Sequence, residues 1–100
     1  MNPRKVRREL VRKLEDLPNI GPAMARDLRL LGIRAPEQLC QQDAYEMYVS
    51  LCETTGRRQD PCVIDVFLSI VHFARGGEAR PWWAFTAERK KELGAGFAKK

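Results

Sequence analysis

Residues 14–28, LEDLPNIGPAMARDL, join two apolar helical patterns through a short break that contains proline, asparagine and glycine. Upstream of the break, apolar side chains recur at helical spacing on one face, at Val6, Leu10, Leu14 and Leu17. This spacing predicts an amphipathic helix of about three turns that begins after Asn2-Pro3 and ends at Pro18. Downstream, Pro22 is well placed to begin a second helix, which Gly32 ends. The stretch therefore predicts two helices, within residues 6–31, joined by a tight turn.

Glycine, proline and aspartate divide the rest of the chain into helix-sized segments. They predict helices near residues 36–41, 44–54 and 61–75, with Asp43 and Asp60 as N-terminal caps, and a last short helix from Thr86. The β-branched content of residues 62–74 would also suit a strand. A length of about 13 residues and the absence of a partner strand favour a central buried helix. The predicted fold class is all-α.

The length of 100 residues and the 44% hydrophobic content suit one domain, so residues 1–100 are expected to fold as a unit. Residues 76–100 are expected to form a tryptophan-anchored C-terminal segment with a basic tail that frays. No apolar run approaches the roughly 20 residues that span a bilayer, and no apolar segment of a signal peptide follows the basic N-terminus. We expect a reduced, monomeric, cytoplasmic protein without membrane contact.

Charge is distributed unevenly along the chain, whose formal net charge is +5. Residues 1–34 hold nine basic and four acidic side chains, residues 35–74 hold two and six, and residues 75–100 hold seven and three. Both ends are therefore basic and the middle is acidic. Such asymmetry indicates an anionic partner or solubilising ends.

The central stretch resembles the helix-hairpin-helix motif. The matching positions are Leu14, Leu17, Pro18, Ile20, Gly21, Ala25 and Leu28. So short a turn needs positive φ, which Gly21 supplies and Asn19 tolerates, while Ile20 fills the gap between the helices. In this family, backbone N–H groups at the start of the second helix bind a nucleic-acid phosphate without contacting the bases. Asn19 stands where the family usually has its first glycine, and Ala23 where many DNA-binding hairpins have a lysine.

The resemblance extends beyond the hairpin. Residues 32–39, 51–56, 60–67 and 81–83 are similar to a small bacterial family of stand-alone helix-hairpin-helix proteins that is labelled for a pathogenicity locus. A similar hairpin closes the C-terminal domain of a bacterial competence regulator. The matches cover about residues 10–85 and imply a compact five-helix, SAM-like domain built around one helix-hairpin-helix.

Three cysteines and one histidine are the candidate metal or catalytic residues: Cys40, Cys52, Cys62 and His72. They lack the close ligand pairs typical of zinc sites, so core-facing free cysteines and a hydrogen-bonded core imidazole are expected instead. We expect no metal, no cofactor and no enzymatic activity. The aromatic residues Trp82, Trp83 and Phe85 could stack bases or dock a partner, but a small helical core favours their burial.

The hairpin and the basic ends predict non-enzymatic, sequence-independent binding of nucleic acid, in the first place DNA, through the phosphate backbone. The predicted contacts are the turn and its amides, at Asn19, Ile20, Gly21 and Ala23, and four cationic side chains, at Arg12, Lys13, Arg26 and Arg29. The alternative is a protein-interaction adaptor that uses the acidic middle or the tryptophan segment.

Overall fold

A computed structural model describes residues 6–93 of the chain. The α-helices are α1 (Pro22–Leu30), α2 (Ala44–Thr55), α3 (Cys62–Ala74) and α4 (Thr86–Leu93), and short 3-10 helices run over Arg8–Leu10, Leu14–Asp16, Pro36–Gln41 and Trp82–Phe85. Residues 6–93 contain no strand, so the predicted all-α class is confirmed. The predicted cap at residues 2–3 and the predicted basic tail lie outside the described residues. The SAM-like arrangement stays a prediction.

The ends of the helices follow from local hydrogen bonding and backbone freedom. Oδ1 of Asp43 accepts hydrogen bonds from two backbone N–H groups in the first turn of α2, at 2.9 and 3.1 Å. Gly56, with φ 72°, ends that helix in the left-handed conformation. Oδ1 of Asp60 accepts from the N–H of Cys62 at 2.8 Å, at the start of α3. The predicted cap at Asp43 is therefore confirmed, whereas the N-cap of α3 is Pro61 and Asp60 lies one residue before it.

Helix α3 is the centre of the core. Ile64, Phe67 and Ile70 on this helix are fully buried, and α2 and the 3-10 helices at 36–41 and 82–85 pack against it. The helix prediction for residues 62–74 is confirmed over the strand alternative. The Cα radius of gyration is 12.9 Å, close to the ~13 Å expected of a compact chain of this length. In the described part of the chain, no helix has the length and apolar character needed to cross a membrane.

The first predicted helix, over residues 6–17, is wrong as an α-helix. Two 3-10 turns stand in its place, separated by extended backbone at Val11 and Lys13. The cause is local, because Oδ2 of Asp16 accepts the backbone N–H groups of Arg12 and Lys13 at 3.0 and 3.1 Å and so competes with helical pairing. Leu10, predicted on the buried face, is consequently 63% exposed. The described hairpin consists of a 3-10 turn and α1.

The C-terminal segment is held by Phe85 more than by tryptophan. Phe85 is only 6% exposed and Trp82 is half-buried, whereas Trp83 is 61% exposed. The prediction of burial is thus confirmed for Phe85 and wrong for Trp83. The prediction of core-facing cysteines is also wrong for Cys40, which is exposed.

Candidate nucleic-acid interface

The turn that joins the two halves of the hairpin takes its positive φ from Asn19, not from Gly21. Asn19 has φ 67°, whereas Gly21 has φ −99° and ψ −174°, an extended conformation that any residue adopts. A Cβ added to Gly21 would meet no atom within 4 Å. The expectation that Gly21 supplies the left-handed residue is wrong. Gly21 instead leaves the backbone open to solvent on this side of the turn.

Two of the four predicted turn residues, Asn19 and Ile20, point their side chains into the protein. Nδ2 of Asn19 donates to Oγ of Ser69 at 3.0 Å and to the carbonyl of Arg80 at 2.8 Å. Ile20 is 1% exposed, and its N–H donates to the carbonyl of Leu17 at 3.4 Å. Ile20 therefore fills the interior as predicted, and both residues position the turn.

The start of α1 presents unpaired backbone donors. Gly21 is the N-cap and Pro22 the first helical residue, and neither has a side chain that could cap the helix. The N–H groups of Gly21, Ala23 and Met24 have no acceptor within an α-helix, because the first four amide positions of a helix lack one and proline has no N–H. The first turn carries no acidic residue. Three amides and the positive end of the helix dipole therefore suit an anion here.

The exposed face of α1 continues from these amides to two arginines. Its solvent-exposed residues are Pro22, Ala23, Arg26, Arg29 and Leu30. Arg26 forms no side-chain hydrogen bond or ion pair within residues 6–93. Arg29, by contrast, lies 3.0 Å from Oε1 of Glu15, and this contact lowers the pKa of Glu15. Arg26 is thus an available cation and Arg29 a paired one.

The basic residues before the turn divide in the same way. Nη1 of Arg12 donates to the carbonyl of Glu9 at 2.9 Å. The Lys13 side chain is exposed and makes no ion pair in the described part of the chain. Hydrogen bonds from the backbone N–H groups of Arg12 and Lys13 lower the pKa of Asp16, which keeps a carboxylate on this side of the turn. Of the four predicted cations, Lys13 and Arg26 are the two that form no ion pair with another described residue.

Sequence reasoning did not include Met24 among the candidate residues. Its side chain is half-buried, but its N–H belongs to the open first turn of α1. Proline at the first helical position already marks this amide, because it fixes where the helix begins and hence which N–H groups are unpaired.

Two of the remaining candidate chemical groups, Cys62 and His72, are half-buried. Burial and the hydrogen bond from the Cys62 thiol to the Asp60 carboxylate raise the pKa of Cys62 and so favour the protonated thiol. Nε2 of His72 is buried without a hydrogen-bond partner among the described residues, and the ring packs on Phe85 with centroids 5.5 Å apart. The expected hydrogen-bonded imidazole is therefore wrong at this atom. Residues 6–93 contain no cluster of three or more His, Cys, Asp or Glu that could hold a metal ion.

An ion pair that sequence reasoning did not find joins α3 to α4. Asp65 is fully buried, and its carboxylate accepts from Nε of Arg89 at 2.9 Å and from Oγ1 of Thr86 at 2.8 Å. The hydrogen bond to Asp65 raises the pKa of Arg89. These contacts satisfy a buried carboxylate, and they attach the C-terminal helix to the core.

The fold and this site define a small all-α protein in which the first turn of α1, next to a tight turn of the chain, has backbone N–H groups without a helical acceptor. The family model described as Cdd1, pathogenicity locus, matches residues 7–91, and the chain belongs to that family. The chain is also 41% identical over 80 residues to the mitomycin resistance protein McrB of Streptomyces lavendulae, covering 80% of this chain and 76% of that protein. No solved structure matches. The pathogenicity locus resemblance found in the sequence is confirmed.

Proposed function

We propose that the protein binds nucleic acid, in the first place DNA, through the phosphate backbone, without base specificity and without catalysis. The observation that carries the proposal is the start of α1, where three amides without a helical acceptor open onto a face that also bears Arg26, which is unpaired within residues 6–93. A phosphate oxygen accepts such amides, and the adjacent guanidinium adds a charge-assisted contact. In this proposal the protein acts as a cytoplasmic monomer.

The residues beside the amides support binding without base readout. Pro22 and Ala23 are exposed, and neither side chain has a hydrogen-bonding group that could distinguish base edges. Asn19 and Ile20 position the turn from inside the protein, and Lys13 adds charge on its outer side. Contact with about two or three phosphates would give weak binding, in the range of about 10⁻⁴–10⁻⁶ M at physiological salt.

The salt dependence of DNA binding tests this proposal. With two or three phosphate contacts, the logarithm of the affinity should fall against the logarithm of salt with a slope of about −2 to −3. Arg26→Ala should weaken binding to all sequences alike and make the slope shallower by about 0.9. Fluorescence anisotropy of a labelled duplex at several salt concentrations gives both values.

The matched control is Arg57→Ala. Arg57 is exposed and lies after α2, outside the hairpin, and its removal changes the net charge by the same amount. It should leave the slope unchanged. If both variants lose affinity equally, the binding reflects net charge and the hairpin site is wrong.

The second candidate function is a protein-interaction adaptor, which the 61% exposure of Trp83 favours. An adaptor would require no contact at Arg26. If the wild-type protein binds neither duplex nor single strand at low salt, the adaptor becomes the better proposal.

A further inference from the structure

Trp83 exposes a large aromatic surface that the proposed phosphate site does not use. Its side chain is 61% exposed, although the neighbouring Pro81 and Phe85 are buried. A molecule that covered this ring would gain the free energy of removing its apolar surface from water. The residues around the ring indicate which class of molecule covers it.

The backbone on both sides of Trp83 is fixed. The N–H of Ala84 donates to the carbonyl of Pro81 at 3.0 Å, closing the 3-10 turn Trp82–Phe85, and that turn packs on α3. The Trp82 ring meets the Trp83 ring edge to face, with centroids 5.6 Å apart and planes at 83°. Because these contacts hold the ring before any ligand arrives, little conformational entropy is lost on binding.

The turn leads directly into α4, whose solvent-exposed charged side chains are Glu88, Lys90, Lys91 and Glu92. Phe85 and Arg89 face the core, whereas Lys90 and Lys91 are exposed and form no ion pair within residues 6–93. If the 3-10 turn and α4 continue with ideal rotations and rises, Lys90 falls on the same side as Trp83 and about 12 Å further along the axis. At 3.4 Å or more per nucleotide, about two to four nucleotides cover this distance.

We propose that Trp83 stacks on an unpaired base while Lys90 binds a phosphate of the same strand, so that the protein prefers single-stranded nucleic acid to duplex. This inference rests on the proposed nucleic-acid binding and names its substrate class. An aromatic ring beside a cationic backbone contact is the arrangement that binds single strands without sequence preference. In duplex the base faces are already stacked, so the Trp83 ring gains nothing there. Lys90, an exposed cation without an ion pair within residues 6–93, favours an anionic strand over an apolar protein pocket.

The experiment compares a fluorescein-labelled 12-nucleotide oligothymidine with a 12-base-pair duplex, using the full chain. Trp83→Ala should weaken oligothymidine binding by about 5- to 100-fold and change duplex binding by less than about twofold. Trp83→Phe, which keeps an aromatic face, should recover most of the loss. Lys90→Ala should weaken oligothymidine binding and make its salt dependence shallower, whereas Arg57→Ala, with the same charge change, should not. Since Trp83 is exposed, the helical circular dichroism spectrum should be unchanged in its variants.

The outcomes separate this inference from the proposed function. If Trp83→Ala binds oligothymidine like the wild type, or loses affinity for both nucleic acids equally, the stacking role is wrong; the ring is then left for a protein partner. If Arg26→Ala still weakens duplex binding as predicted, the proposed function stands without the stacking role of Trp83. If the wild-type protein binds neither nucleic acid at low salt, both proposals are wrong.

Discussion

Replacing Asn19 by glycine would restore the residue that helix-hairpin-helix turns usually have at this position, and the structure indicates that it should destabilise this protein. Glycine adopts the φ of 67° without strain. However, it removes the amide group that donates to Ser69 at 3.0 Å and to the carbonyl of Arg80 at 2.8 Å. These two bonds connect the turn to α3 and to the segment before α4.

The magnitude follows from the contacts. Two part-buried hydrogen bonds contribute about 1 kcal/mol each, and glycine adds about 0.5–1 kcal/mol through the greater freedom of the unfolded chain. Asn19→Gly should therefore lower the free energy of unfolding by about 2–3 kcal/mol. Asn19→Ala should lower it by about 3–4 kcal/mol, because alanine loses the same bonds and pays about 1–2 kcal/mol for the left-handed conformation. Because the free energy of unfolding of a protein is typically about 5–15 kcal/mol, both variants should still fold.

Urea unfolding followed by circular dichroism measures these values. For Asn19→Gly the midpoint should fall by about 1–2 M at unchanged slope. In a Ser69→Ala background the same substitution should cost about 1 kcal/mol less, because one of the two bonds is already absent. If Asn19→Gly is as stable as the wild type, the side-chain bridge contributes nothing and the account of this turn is wrong.

Three further predictions concern stability elsewhere in the molecule. Asp65→Asn should lower the free energy of unfolding by about 3–5 kcal/mol, because it leaves the largely buried Arg89 without its counter-charge. Thermal unfolding measures this loss of stability, and a loss below about 1 kcal/mol would contradict the prediction. The pKa of Asp16 is lowered in the folded protein, so its stabilising effect is present above the unfolded carboxyl pKa of about 4 and is lost as the pH falls through the lower folded pKa. Asp16→Asn should therefore reduce the loss of stability at acid pH, measured as urea midpoints from pH 7 to 2. An unchanged loss of stability in the variant would contradict this prediction. Gly77→Ala should cost about 1–3 kcal/mol in urea unfolding because its Cβ would lie 2.2 Å from Nε2 of His72, and a His72→Ala background should reduce that cost; an equal cost in both backgrounds would place the strain elsewhere.

Much of the helical architecture could be predicted because its signals are local. Asp43 caps the helix that follows it, Asp60 accepts a hydrogen bond from the first residue of α3, and Gly56 ends α2 in a conformation that glycine adopts without strain. The apolar run of α3 is buried as its composition indicates. Such signals act within one helical turn, so the sequence pattern is sufficient to place these elements.

The N-terminal segment could not be predicted because its apolar spacing agrees with a helix that other contacts prevent. Asp16 accepts the amides of Arg12 and Lys13, and the Arg8 guanidinium donates to the carbonyls of Phe73 and Gly77 at the end of α3. Those last contacts join residues more than 60 positions apart. Helical periodicity carries no information about such partners.

The candidate site was predictable in its backbone and less so in its charges. Pro22 marks the start of α1 and hence the open amides, whereas the pairing of Arg29 with Glu15 depends on how the hairpin packs. The exposure of Trp83 is also a tertiary property, since Phe85 two residues later fills the core position. The folded structure determines which arginines are unpaired and which aromatic side chain is exposed to water.

A chemical-shift titration of ¹⁵N-labelled protein with a short duplex at low salt tests the central proposal most directly, because it locates a site even when binding is weak. The amide signals of Gly21, Ala23 and Met24 should move most and saturate together, and Arg26→Ala should reduce the fitted affinity at those signals. If those three amides stay in place while the duplex is added in excess, the start of α1 does not bind phosphate and the proposed function is contradicted.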